Sequence, residues 1–264
     1  VRGEKAVIRI LGGSRNLPDL DSLGMDKRAV SLIRKSLRDT KGLIIICGPT
    51  GSGKTTTLYA ALREIDKESV SIATLEDPVE YKIDGLSQSQ IGKKGGIAFH
   101  EGLRALLRQD PDILVIGEIR DDETATIAVR AALTGHLVFS TIHANEAAAV
   151  PERLVDMGVP AYLVGDALLC TAAQRLVRRH CAVCGGTGCL ACNFSGYDGR
   201  DCLAEVIYFT SRTKEIVRRD ASVGAVRKGA QEAIFFKETA MAMVRDGLTD
   251  EREIMRVCGE DHEY

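Results

Sequence analysis

The octapeptide GPTGSGKT at residues 48–55 constrains what this chain can fold into more than any other stretch. Its spacing, a glycine, four residues and then Gly53-Lys54-Thr55, is that of a phosphate-binding loop. Glycines let the backbone curl around an anion and aim several N–H groups inward, while Lys54 adds a cation for the β- and γ-phosphates. Thr55 supplies a hydroxyl for Mg2+ at the start of a helix whose positive dipole end also faces the anion. The context agrees. The apolar run Leu43-Ile44-Ile45-Ile46-Cys47 fits a buried parallel strand, and residues 56–65 read as a helix. The expected nucleotide contacts are Gly48, Pro49, Thr50, Gly51, Ser52, Gly53, Lys54, Thr55 and Thr56, with ATP and Mg2+ as ligands.

Beyond the loop, apolar patterning alternates between strands and helices. Residues 25–39 have helical spacing (Val30, Ile33, Leu37), and residues 70–75 form a short apolar run closed by Glu76-Asp77-Pro78. A helix over 99–108, a strand over 113–116, a helix over 124–133, a strand over 137–142 and a helix over 147–157 follow. Such alternation implies a parallel sheet covered on both faces, with ligands at the carboxyl ends of its strands. Residues 48–55, 76–80, 117–120 and His143 all fall at such ends. Further on, residues 160–179 read as one helix, 202–209 as a strand, and 211–257 as three or four short helices.

Composition narrows the partners. In 264 residues with a net charge of −2 there is no global electrostatic reason to bind nucleic acid or anionic lipid. Tryptophan is absent and aromatics make up 5%, which argues against a base-stacking surface. No apolar run approaches a membrane span and no signal peptide is evident, so the chain reads as soluble and cytosolic, without membrane insertion. It begins at Val1, and residues 6–11 (AVIRIL) already read as a strand. The expectation is a piece of a longer chain whose upstream domain precedes it.

Three clusters carry chemistry. Glu118, after the strand at 113–116, is placed to hold Mg2+ directly or through water. Glu76 leaves a neighbouring strand end and is the candidate base for an attacking water, although Asp77-Pro78 with its acids would also serve as a solvated turn. His136 and His143 flank the strand at 137–142, and His143 stands where a γ-phosphate sensor would. Arg104 and Arg108, four apart on one helix face, suit either phosphate stabilisation across a subunit boundary or a solvated charged face. Cys181, Cys184, Cys189 and Cys192 form C-x2-C-x4-C-x2-C. Two such knuckles wrap four thiolates around one Zn2+, with an iron–sulfur cluster the other occupant, and a fourfold thiolate set leaves no open position for catalysis. The remaining four cysteines read as buried small hydrophobes.

With these residues in view, the chain resembles the secretion ATPases that assemble pili and pseudopili. The matching motifs are the phosphate loop, ATLEDPVEY at 73–81, LRALLRQDPDILVIGEIRD at 103–121 and TGHLVFSTIHAN at 134–145, continued by AQRLVRRHC at 173–181 and SGYDGR at 195–200. The resemblance implies a RecA-like P-loop NTPase with a mostly parallel sheet, a small zinc-binding subdomain and a C-terminal helical subdomain. The implied boundaries are 1–22 for the end of an upstream domain and linker, 23–177 for the ATPase core, 178–202 for the tetracysteine element and 203–264 for the helical subdomain. It makes Glu76 the catalytic glutamate, Glu118 the acidic residue of the Mg2+ site, and His136 with His143 the histidine box. Arg9, Arg104 and Arg108 would reach a neighbouring subunit's nucleotide. The tetracysteine element marks the extension branch, and here its two pairs stand only four residues apart, where many relatives carry a long insertion. The implied assembly is a homo-hexamer, peripheral to the inner membrane from the cytoplasm, working with an inner-membrane platform protein and a membrane adaptor. A nucleic-acid motor of the same architecture and a nucleotide-gated adaptor are the alternative readings.

Overall fold

The structure, a computed structural model, describes residues 3, 17–91 and 98–259. The strand expected over 6–11, and Arg9 with it, lies outside the described residues. The described strands are β1 (Gly42–Cys47), β2 (Ile72–Glu76), β3 (Ser87–Gln90), β4 (Ile113–Ile116), β5 (Leu137–Ile142), β6 (Leu168–His180), β7 (Tyr197–Tyr208) and β8 (Glu232–Ile234). They form one sheet in the order β3-β2-β4-β5-β1-β6-β7-β8. The six strands from β3 to β6 run parallel, and β7 and β8 join antiparallel. The sheet is mostly parallel, as expected.

β1 shows why its sequence is apolar throughout. Leu43, Ile45 and Cys47 point to one face, among Val129 of α4 (Asp122–Leu133), Leu154 of α5 (Ala149–Asp156) and Val164 of α6 (Ala161–Ala167). Ile44 and Ile46 point to the other, among Val30 and Ile33 of α1 (Lys27–Ser36) and Leu58 and Leu62 of α2 (Lys54–Arg63). A strand buried on both faces needs no polar alternation. On the first face α3 (Phe99–Leu107) also contributes Leu103 and Leu106 to the core.

Residues 160–179 do not form the single helix that their spacing suggests. α6 ends at Ala167, and the chain continues as the thirteen-residue strand β6, paired with β1 on one side and β7 on the other. Alanines, glutamine and arginines in this stretch are good helix formers, but nine of its first ten residues are buried between two strands, and tertiary burial overrides propensity. β7 likewise begins five residues before the expected 202, and β8 interrupts the tail. The tail is otherwise helical as expected, with α7 (Ser211–Arg219), α8 (Val223–Gly229), α9 (Phe236–Arg245) and α10 (Glu251–Cys258). The sheet therefore runs through the boundary drawn at 177/178, and the four cysteines sit at the tip of the β6–β7 hairpin. No described helix is long and apolar enough to cross a membrane.

Candidate nucleotide site and tetracysteine centre

The phosphate loop leaves the carboxyl end of β1. Gly48, Gly51 and Gly53 hold φ of 145°, 79° and 88°, backbone that a Cβ strains. A Cβ at Gly48 would also stand 2.6 Å from the Gln174 carbonyl oxygen of β6. No side chain caps the start of α2, so its first N–H groups face the loop's concavity unpaid by any cap. Lys54 Nζ donates to the carbonyls of its own loop, Gly48 at 2.8 Å and Pro49 at 3.2 Å. Burial pulls this ammonium below the ordinary lysine range, against the opposing pull of Glu118. β6 braces the loop from outside, since Gln174 Nε2 donates to the Ser52 carbonyl at 2.6 Å.

A cleft of 740 Å³ opens over the loop. It is lined by residues 50–56 together with Glu76 from β2, Glu118 beyond β4 and His143 beyond β5. The strand ends that the apolar pattern nominated therefore do converge. Glu118 is where the side chains of His143 and Arg120 meet. His143 Nε2 lies 2.8 Å from its Oε1, Arg120 Nε donates to its Oε2 at 2.7 Å, and Arg120 also stands 3.7 Å from Asp77. A carboxylate facing the same cleft as the Thr55 hydroxyl offers the hard oxygen donors that a Mg2+ site takes.

Glu76 is 4% exposed, and its carboxylate is held by three donors. The Tyr59 hydroxyl of α2 donates to Oε2, while Thr74 Oγ1 (2.7 Å) and Gln88 Nε2 of β3 (3.2 Å) donate to Oε1. Sequence reasoning nominated none of these partners. Thr74 is legible in hindsight, because residues two apart on a strand share a face. Tyr59 and Gln88 meet Glu76 only through tertiary packing.

The structure does not bring every nominated residue to the cleft. His136 sits at the amino end of β5, with Nδ1 3.1 Å from the Ala131 carbonyl oxygen. The strand separates it from His143 by roughly 20 Å of extended chain, so the two histidines do not act on one cleft of the same chain. Arg104 and Arg108 are exposed on α3 and at its carboxyl cap, and they do not line the cleft.

The four nominated cysteines do come together. Their Sγ atoms all lie within 4.8 Å of one another, with separations of 4.0 Å (Cys181–Cys189), 3.8 Å (Cys184–Cys192) and 3.9 Å (Cys189–Cys192). Four Zn–S bonds of about 2.3 Å arranged tetrahedrally require S–S edges of about 3.8 Å, so the set fits Zn2+. Backbone N–H groups point at the sulfurs, from Gly188 to Cys184 and from Cys189 to Cys192, each at 3.2 Å. The Cys189 amide holds the Cys192 thiol down to about 6, which favours the thiolate a metal takes.

Comparison with known proteins agrees with this geometry. A family model described as type II/IV secretion system protein matches residues 1–256. The type II secretion system protein HxcR of Pseudomonas aeruginosa is 43% identical over 97% of this chain and 56% of its own length. The type II secretion system ATPase E of Vibrio cholerae is 39% identical over 98% and 56%. The chain thus spans just over half the length of these relatives. Among solved structures, the pilus retraction motor PilT with bound ADP matches with a TM-score of 0.78 at 30% identity, covering 96% of this chain and 70% of that one. The ATPase DotB of Legionella pneumophila matches with a TM-score of 0.75 at 26% identity, covering 89% and 64%. The fold is that of a RecA-like P-loop NTPase, and the chain belongs to the family of type II/IV secretion system proteins.

Proposed function

We propose that this chain hydrolyses ATP in a Mg2+-dependent reaction that powers assembly of a pilus or pseudopilus, in a type II secretion, type IV pilus or DNA-uptake system. The observation that carries the reading is the convergence of the phosphate loop, Glu76, Glu118 and His143 on one cleft. Lys54 and the loop amides bind the β- and γ-phosphates. His143, held against Glu118, stands beside the γ-phosphate position and senses whether it is filled. Thr55 and Glu118 would hold Mg2+, which when bound neutralises charge on the phosphates. Glu76 accepts the proton of the attacking water.

The motor works as a homo-hexamer on the cytoplasmic side of the inner membrane, with a platform protein and a membrane adaptor as partners and no nucleic acid. Arg104 and Arg108, exposed and outside the lining of their own cleft, support a role at a neighbouring copy's nucleotide, and Arg9 joins them in this reading. The organisation proposed is a core over 23–177, a structural zinc element over 178–202 and a C-terminal lobe over 203–264, with 1–22 leading in from an upstream domain. His136 holds a carbonyl of its own chain, and any part it takes in turnover acts through β5.

Phosphate release from ATP, measured with Mg2+ and with EDTA, tests the reading. Turnover is expected only with Mg2+, and Lys54→Ala is expected to weaken nucleotide affinity at least about tenfold through loss of charge-assisted contacts. Unchanged affinity in that variant removes the basis of the claim. Tight nucleotide binding without Mg2+-dependent turnover favours the nucleotide-gated adaptor instead.

A further inference from the structure

We infer that Tyr59 is a positioning residue that sets the one acceptor site of the Glu76 carboxylate left open among the described residues, an inference that rests on Glu76 being the base. A carboxylate offers about four acceptor sites. Thr74 and Gln88 occupy both sites of Oε1, and Tyr59 occupies one of Oε2. The remaining site is on Oε2, on the oxygen that Tyr59 holds. At 4% exposure Glu76 meets water only through the cleft that it lines, so the direction of that site decides whether the attacking water reaches it.

Tyr59 is built to hold a fixed position. It is fully buried, its ring meets Tyr81 edge-on at 5.8 Å, and it lies on α2 five residues after Lys54, about 7.5 Å along the axis. The helix that begins at the phosphates thus also carries the donor that orients the base. The charged and titratable groups around this pair are few. Glu80 faces the Tyr59 hydroxyl, Asp77 follows Glu76 in sequence and meets Arg120, and β3 contributes only the neutral Gln88. Burial and Glu76 itself push the Tyr59 phenol far above its ordinary value, so it remains a donor throughout the working pH range.

The test is Tyr59→Phe, which keeps the buried ring and removes the hydroxyl. Losing the donor frees the Oε2 site to turn away from the water, so the effect is expected in kcat and not in the KM for ATP. kcat is expected to fall about tenfold as the carboxylate loses its orientation, with ADP affinity unchanged. An unchanged or higher kcat, or a KM for ATP that rises as kcat falls, overturns the inference. Glu76→Gln separates this from the underlying reading. If that variant is inactive and Tyr59→Phe keeps the parent kcat, only the positioning role fails, whereas an active Glu76→Gln removes the base itself.

Discussion

Glu76→Gln is expected to leave ATP affinity near that of the parent protein and to cut turnover about 100-fold or more, the size of effect expected when a general base is lost. The amide keeps the shape of the carboxylate and its place among Tyr59, Thr74 and Gln88. It cannot take a proton from water, and none of the three groups that hold it substitutes for it. Thr74 and Gln88 have no useful basicity, and Tyr59 is already a donor. Affinity should be preserved because the proposed reading gives the phosphates to Lys54 and the loop amides, independently of Glu76. Glu118→Gln is expected to differ, since it weakens the response of turnover to Mg2+ as well as slowing it. Phosphate release at saturating ATP, with nucleotide titration alongside, separates the two variants. Normal hydrolysis by Glu76→Gln would sink the assignment and direct attention to Glu80, which lines the same cleft.

How legible this site was depended on whether a residue's role is set locally. The phosphate loop is a local device, in which glycine conformations, Lys54 and the helix start lie within eight residues, so its spacing announces it. β1 and β4 are short continuous apolar runs, β5 opens on one, and the residues that leave their carboxyl ends follow from the parallel sheet. Four nominations from those ends, residues 50–55 of the loop, Glu76, Glu118 and His143, meet in one cleft. His136 illustrates the opposite case. It shares a motif with His143, but the two occupy opposite ends of β5, and motif proximity does not mean proximity in space.

What was illegible depends on long-range pairing. β3 reads SQSQ, with no apolar face to mark a strand, and exists because β2 offers it a parallel edge. β6 has the composition of a helix and becomes a strand between β1 and β7. Placing it as a strand changes the meaning of the cysteine cluster. The sequence suggests a separate element, whereas the structure puts it at the end of a hairpin whose first strand touches the phosphate loop through Gln174.

That placement sets how far the loss of metal should spread. Chelation, or Cys184→Ser, is expected to unfold the hairpin tip, because so short a Gly-rich segment has no core of its own and structural Zn2+ typically contributes about 10–16 kcal/mol of binding to such folds. The disorder is expected to stop near residues 180 and 197. There the His180 amide donates to the Leu248 carbonyl at 2.8 Å, the Cys181 amide donates to the Gly196 carbonyl at 2.9 Å, and the Tyr197 hydroxyl donates to Asp250. Residues 168–177 keep their pairing with β1 and β7, so Gln174 continues to brace the loop and nucleotide affinity is retained. Hydrogen exchange should show protection lost over 182–195 and kept over 168–177. Elemental analysis of the native protein should give one zinc per chain. Alkylation gives an independent readout, because Cys170 and Cys202 are buried with thiols pushed up to about 12 and stay unreactive in either state. Cys184 and Cys189, only partly buried, should become reactive once the metal is removed. A native protein without metal, or one whose four clustered cysteines alkylate freely, would rule out a structural zinc and leave the sulfur geometry at the hairpin tip without a role.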